Sequence, residues 1–369
     1  MDPLTALWDH RSYLMIIPVL SLLMLVHELG HFVTARLARM KVEEFGFGFP
    51  PRLAGKEIGG VVYSLNWIPL GAFVRILGED DPKEPDSFAS KSPLARFIVL
   101  FAGSGMNFVL AVALFAAAYL SGVPTPTLMR IEVGSVLPDS PAQAAGLRAG
   151  DVLLAVNDQP VPTIEVLQRL ARANAGREIV VRVQRDGQEL ALPVTPRPPG
   201  VAGSGTIGVS LHGTVLEAQP LRYDPGAALA HGVEQTWRLV TLTLSLPVLL
   251  VQGAITPDQA RPIGIVNMGR LVGDAASTVG ETGLLFPLLM LTAAFSAGLG
   301  VVNLLPLPGL DGGRLLFLVI ETVRGQRIAP ERAELVHAVG IALLLALMGV
   351  LIVSDLVSPA PPIDWGVPR

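Results

Sequence analysis

Tyr13 to Ala38 reads YLMIIPVLSLLMLVHELGHFVTARLA. This run is long enough for the roughly 20 apolar residues that carry a helix across the hydrocarbon core of a bilayer. Three ionisable side chains, His27, Glu28 and His31, sit inside it. A charged group at the centre of such a helix costs at least about 2.5 kcal/mol on insertion scales, so it needs a reason to be there. A polar turn that merely ends the span is not that reason, because Arg36 and Arg39 already end it.

Three further apolar runs follow, at about Leu94 to Leu120, Leu284 to Leu305 and Leu335 to Val353. The second is introduced by Ser92-Pro93, an N-cap with proline at the first helical position. The composition agrees with a membrane protein. Apolar residues make up 51% and charged residues 16%, against about 25% charged in ordinary soluble domains. The first run has no clear small-residue cleavage site, so it is expected to stay as a span and not to be removed as a signal peptide. The formal net charge of −4 and the absence of a basic tract argue against nucleic acid. With no cysteine, disulfides, thiolate metal sites and cysteine nucleophiles are excluded together.

Orientation follows from the basic residues of the short loops. Arg36, Arg39, Lys41, Arg52, Lys56, Arg75, Lys83, Lys91 and Arg96 gather between the first two runs, and Arg314, Arg324, Arg327 and Arg332 follow the third. Both loops are expected in the cytosol, with the termini and Ser121 to Gly283 on the other side. Within that long stretch, Val152 to Val156, Ile179 to Val183 and Leu190 to Leu192 read as short strands. Ile164 to Ala173 reads as a helix between them, and Pro196 to Gly205 as a linker. Thr236 to Gln252 is apolar but short and interrupted by Pro247. A crossing there would invert the third span, so an interfacial helix is expected.

His27-Glu28-Leu29-Gly30-His31 fits H-E-x-x-H. Residues four apart share one helix face, so both imidazoles can reach one metal ion, with the carboxylate of Glu28 beside it to move a water proton. A catalytic zinc site wants a third protein ligand. Asp311 stands in the best context for it, Asn303-Leu304-Leu305-Pro306-Leu307-Pro308-Gly309-Leu310-Asp311-Gly312-Gly313 at the end of the third run. Irregular backbone at membrane depth survives only where protein buries it or a wet cavity meets it. An ordinary Pro-Gly turn leaving the bilayer is the plain alternative.

Together these motifs resemble the site-2 protease family, specifically the RseP-like bacterial regulated intramembrane proteases. H-E-x-x-H in the first span and N-x-x-P-x-P-x-L-D-G in the third, here Asn303 to Gly312, match in the family's order. The resemblance implies a polytopic α-helical membrane protein of about four transmembrane helices, with an inserted extracytosolic PDZ-like α+β domain and a cytosolic-side membrane-associated β-hairpin. The expected divisions are 1–122 with the hairpin loop at about 45–80, a PDZ-like domain at 123–200, a linker and interfacial amphipathic segment at 201–283, and 284–369 with the last two spans. It implies that His27, His31 and Asp311 bind one Zn2+, that Glu28 is the catalytic acid and base, and that Asn303, Pro306 and Gly71 help hold substrate. Gly103-Ser104-Gly105-Met106-Asn107 is similar to the family's G-P-x-x-N with Ser104 in place of proline, and is read as helix packing.

The implied activity is hydrolysis of peptide bonds in transmembrane segments, in the bacterial cytoplasmic (inner) membrane. The implied partners are single-pass membrane proteins, such as trimmed anti-sigma factors or remnant signal peptides, a peptide or chain end at the PDZ-like domain, and the lipid bilayer. A catalytically inactive PDZ scaffold and a metal transporter are the rival readings, and a 2-His-1-carboxylate iron site is a further one. His10, His212, His231 and His337 show no ligand-like spacing.

Overall fold

The structure, a computed structural model, describes residues 11–78, 86–198, 206–257, 260–326 and 328–368. The end of the expected hairpin loop, most of the Pro196 to Gly205 linker, Lys83 and Arg327 fall outside them. The chain forms two compact units, Met1–Gly122 with Arg222–Ile363 and Val123–Leu221 with Asp364–Arg369.

In the first unit, a short 3-10 turn leads into helix α1 (Ile16–Leu37). A hairpin of β1 (Val42–Ile58) and β2 (Val61–Ile76) follows, then α2 (Pro93–Ser121). After the second unit the chain resumes with α5 (Pro225–Val251), α6 (Ile265–Thr282), α7 (Phe286–Leu304), α8 (Asp311–Arg324) and α9 (Pro330–Val357). Among the described residues, four helices are long and apolar enough to cross a membrane: Tyr13–Leu37, Pro93–Ser121, Phe286–Leu304 and Glu331–Val357. The Ser92 side chain accepts a hydrogen bond from the Ala95 N–H with proline at the first position, as the sequence leads one to expect.

Small residues set how closely these helices pack. A Cβ on Gly30 would collide with the Ala102 carbonyl, so α1 and α2 touch backbone to backbone at this level. Ala111, Phe115, Ala293 and Ala297 form a buried cluster between α2 and α7, and Leu239 of α5 packs against it. Thr236 to Val251 thus belongs to one continuous helix capped by Gln252, and Pro247 lies inside it. That helix begins beside the end of α2, where Tyr119 meets Tyr223 and His231. Tyr119 also meets Phe286 at the start of α7.

The hairpin ladder is folded over on itself. Val42 to Phe47 lies opposite Ile76 to Ala72, Arg52 to Ile58 lies opposite Asn66 to Val61, and Phe45 to Phe47 also faces Tyr63 to Leu65. Ala72 to Ile76 therefore has β1 on one side only and forms an edge. Ala35, Met40, Val42, Val61, Ile76, Phe88, Val99, Leu100 and Leu318 form one core that fastens this hairpin to α1, α2 and α8.

The second unit is a six-stranded antiparallel sheet with its own core. It contains β3 (Val123–Val136), α3 (Pro141–Ala144), β4 (Val152–Val156), β5 (Gln159–Pro160), α4 (Ile164–Ala173), β6 (Ile179–Arg185), β7 (Gln188–Val194) and β8 (Val209–Leu221). The order is β7-β6-β4-β3-β8, with β5 on β4. Asp186 and Gly187 both have positive φ, the geometry of a tight two-residue turn, and they join β6 to β7. Strand β8 lies in the stretch read from sequence as linker, and it pairs with β3 along Val136 to Val123. Ile131, Val133, Val156, Ile179, Val181, Val183 and Val194 are nearly fully buried in the core.

Candidate metal centre

Helical periodicity builds the first half of the site. His27 and His31 lie on the buried face of α1, each 7% exposed. The second half comes from the chain break after α7. Leu305 leaves the helical conformation, and Gly309 takes a φ of +95°. Asp311 then opens α8. A Cβ on Gly312 or Gly313 would strike the backbone of Leu304, Leu305 or Leu307, so the turn closes only with glycine at both positions.

The three side chains converge. Asp311 Oδ2 lies 3.1 Å from His27 Nε2 and 3.2 Å from His31 Nε2, and the two Nε2 atoms are 3.1 Å apart. Among the described residues, these three form a group able to hold a metal ion.

The surroundings orient both rings. His31 Nδ1 is 2.8 Å from the Val99 carbonyl oxygen, so Nδ1 carries the proton and donates, and the Nε2 lone pair faces Asp311. His27 Nδ1 is 3.2 Å from the Asn107 amide and 3.5 Å from that of Asn303. With a proton on this Nδ1 too, the matching acceptor is Asn107 Oδ1, a buried oxygen with no other partner. Turning the Asn107 amide over, an orientation that heavy-atom positions leave free, satisfies both groups. Gly103 lies against the ring edges that face Asp311, where a Cβ would press on His31 Nε2 and on His27 Cε1 and Nε2. Glu28 accepts a hydrogen bond from the Val74 N–H, which points outward from the hairpin edge.

This arrangement suits a cation. Asp311 Oδ2 is buried without a hydrogen-bond partner. Two nitrogen lone pairs and a carboxylate oxygen repel one another at this spacing unless positive charge sits among them. A tetrahedral zinc with bonds of about 2.1 Å places its ligands roughly 3.4 Å apart, a few tenths of an ångström wider than the triangle found here.

Of the residues singled out from sequence for substrate, Asn303 reaches the His27 ring. Pro306 is exposed in the break between α7 and α8. Gly71, with φ +78°, lies in β2 beside Met24, three residues before the strand meets Glu28. Sequence reasoning missed the roles of Gly103 and Asn107 around the histidines. Their spacing of four on one apolar helix was the available signal.

Residues 15–347 match the sequence family described as Peptidase family M50. The chain belongs to peptidase family M50. It is a membrane zinc metalloprotease of that family, and the paired histidines with Asp311 are its candidate metal site. Among its relatives is the zinc metalloprotease RasP of Oceanobacillus iheyensis, 29% identical over 420 residues that cover 91% of this chain and 96% of that protein. A candidate zinc metalloprotease of Clostridium acetobutylicum is 32% identical over 92% of this chain and 95% of its own length. One from Nostoc sp. is 33% identical over 96% and 98%.

Proposed function

We propose that His27, His31 and Asp311 hold one zinc ion and that Glu28 is the acid and base of peptide-bond hydrolysis within the bilayer. The observation that carries this reading is the approach of Asp311 Oδ2 to both imidazoles at 3.1 Å and 3.2 Å from a position far along the chain. Bound zinc supplies acidification of water and polarisation of the scissile carbonyl. Glu28 takes a proton from the attacking water onto its carboxylate and then delivers it to the leaving amine nitrogen. The Val74 N–H donates to the Glu28 carboxylate and helps hold it beside the histidines.

A peptide bond inside a transmembrane helix is shielded by its own hydrogen bonds, so the substrate must unwind locally. The edge at Ala72 to Ile76 pairs with β1 on one side only, beside Glu28, and takes up the unwound segment as an added strand. Gly71 keeps that edge close to α1, and Asn303 and Pro306 line the approach from α7. The metal end faces the cytosol, by the weight of Arg and Lys in the adjoining loops, and the second unit lies on the other side of a bacterial cytoplasmic membrane. That unit acts as a PDZ-like domain of about 123–221. Its β8 is a sheet edge flanked by Ile164 of α4, next to Gly213, a geometry suited to an extended peptide or chain end. Substrates are single-pass membrane proteins already trimmed outside, such as anti-sigma factors or remnant signal peptides.

The test uses purified full-length protein with a model transmembrane substrate. Glu28→Gln is expected to keep zinc and lose cleavage by 10²- to 10⁴-fold. Asp311→Ala is expected to lose both. An Asp311→Ala protein that binds zinc as tightly as the wild type overturns the assignment.

A further inference from the structure

The last helix touches the metal-bearing turn through one narrow stripe. Most of α9 is exposed along its length, yet Ala333, His337, Gly340 and Leu344 turn inward at helical spacing. The stripe meets Pro308 and Gly309. A Cβ on Gly340 would overlap the Pro308 carbonyl, and one on Gly309 would come within 3.1–3.3 Å of Ile341 and Leu344. At the centre, the Gly309 N–H donates to His337 Nδ1 at 3.0 Å. The ring also packs against Phe317 of α8, at 5.2 Å between centroids.

The chemistry of the break explains why an imidazole is needed there. Pro306, Pro308 and the positive φ of Gly309 interrupt the helical ladder, so the Gly309 N–H has no helical carbonyl to receive it. An unpaired N–H at this depth is costly, and a histidine inside a span is costly without a partner. Each satisfies the other. Two residues later the chain delivers Asp311 to the imidazole pair.

We propose that His337 is a positioning residue for zinc binding: it accepts the Gly309 N–H and thereby sets the turn that aims Asp311 at His27 and His31. This rests on the reading of Asp311 as a ligand. The bond requires a bare Nδ1, so the ring holds its proton on Nε2. Asparagine can place its Oδ1 where Nδ1 lies, whereas leucine fills the space without an acceptor, and glutamine carries its oxygen one atom too far.

The experiment measures zinc affinity of the full-length protein by competition with a chromophoric chelator, together with kcat and KM for a model transmembrane substrate. His337→Leu is expected to weaken zinc binding about tenfold and lower kcat with KM unchanged, and His337→Asn to restore both, at the lower end of what ligand-supporting contacts contribute. If His337→Leu fails to fold, the comparison of His337→Asn with His337→Gln decides, the first retaining zinc and the second losing it. Equal zinc affinity in His337→Leu and wild type, or equal defects in the Asn and Leu or the Asn and Gln variants, overturns the proposal. Asp311→Ala serves as the control. Zinc lost there but kept in His337→Leu removes this inference alone, while zinc kept in Asp311→Ala removes the site reading beneath it.

Discussion

Two aspartates, one fully buried in the second unit and one half-buried in the first, show how a structural charge differs from one that waits for an ion. Asp151 of the second unit is fully buried and fully engaged. It accepts from Arg185 Nε at 2.6 Å, from a terminal Arg185 nitrogen at 2.7 Å and from the Arg148 N–H at 2.8 Å. Asp311 of the first unit is partly buried, and its Oδ2 has no hydrogen-bond donor although two imidazoles stand beside it. Asp151 thus has its positive charge built into the chain, whereas Asp311 leaves a place for one from outside. A third case, Asp355 in α9, agrees with the first. It is buried and engaged by the N–H of Gly264, the N–H and side-chain amide of Asn267 and the nearby Arg261, so it clasps the start of α6 and leaves nothing open.

The sharpest way to break this contrast is to remove Asp151. Asp151→Ala leaves the Arg185 guanidinium and the Arg148 N–H without their acceptor, and the expected loss is about 1–3 kcal/mol of stability in the second unit. Urea titration of the full-length protein, read by proteolysis within 123–221, measures it, and zinc affinity is expected to stay at the wild-type value. A fall in zinc affinity of the same size would show that the two aspartates are not independent.

Gly103→Ala probes the other side. The new Cβ presses on both imidazole rings, and the expected result is 10- to 100-fold weaker zinc binding with the urea midpoint of the second unit unchanged. Wild-type zinc affinity in this variant would mean that the rings have more room than the packing of α1 on α2 suggests.

The smallest effect is the pH dependence of the Asp151 pair. Burial pushes this carboxyl upward, but the bonds from Arg185 and the Arg148 N–H outweigh it and hold it below the usual carboxylate range. A group lowered by folding stabilises the folded state above its unfolded value, near pH 4, and that contribution is lost as pH falls through the folded value. The urea midpoint of the second unit should therefore be flat from neutrality to about pH 5 and decline below it, and Asp151→Asn should flatten the acid limb. An acid limb as steep in Asp151→Asn as in the wild type would move the origin of the pH dependence elsewhere.

Much of the membrane unit is legible in the sequence because its signals are local. Four apolar runs mark the long helices, and H-E-x-x-H places two rings on one face of whichever helix carries it. The hairpin is harder to read. Its double ladder depends on Glu44 to Phe47 being flanked on both sides, which no period-two pattern announces. Strand β8 also escapes a local reading. Its alternation of Val209, Leu211, Gly213 and Val215 is weakened by the glycine, and its partner β3 lies far away in sequence.

The sequence by itself determined that this chain has membrane-length helices and carries two histidines and a glutamate in one turn of the first. The cause is that apolar run length and a helical repeat act between near neighbours. Only the tertiary structure decided that Asp311 closes the triangle, that Val99, Gly103 and Asn107 seat the rings, and that Val74 holds Glu28. Each of those contacts depends on the rotational phase and depth at which separately formed helices and a strand edge pack together. That phase is set by small residues such as Gly30 and Gly103 acting across the interface, not along the chain.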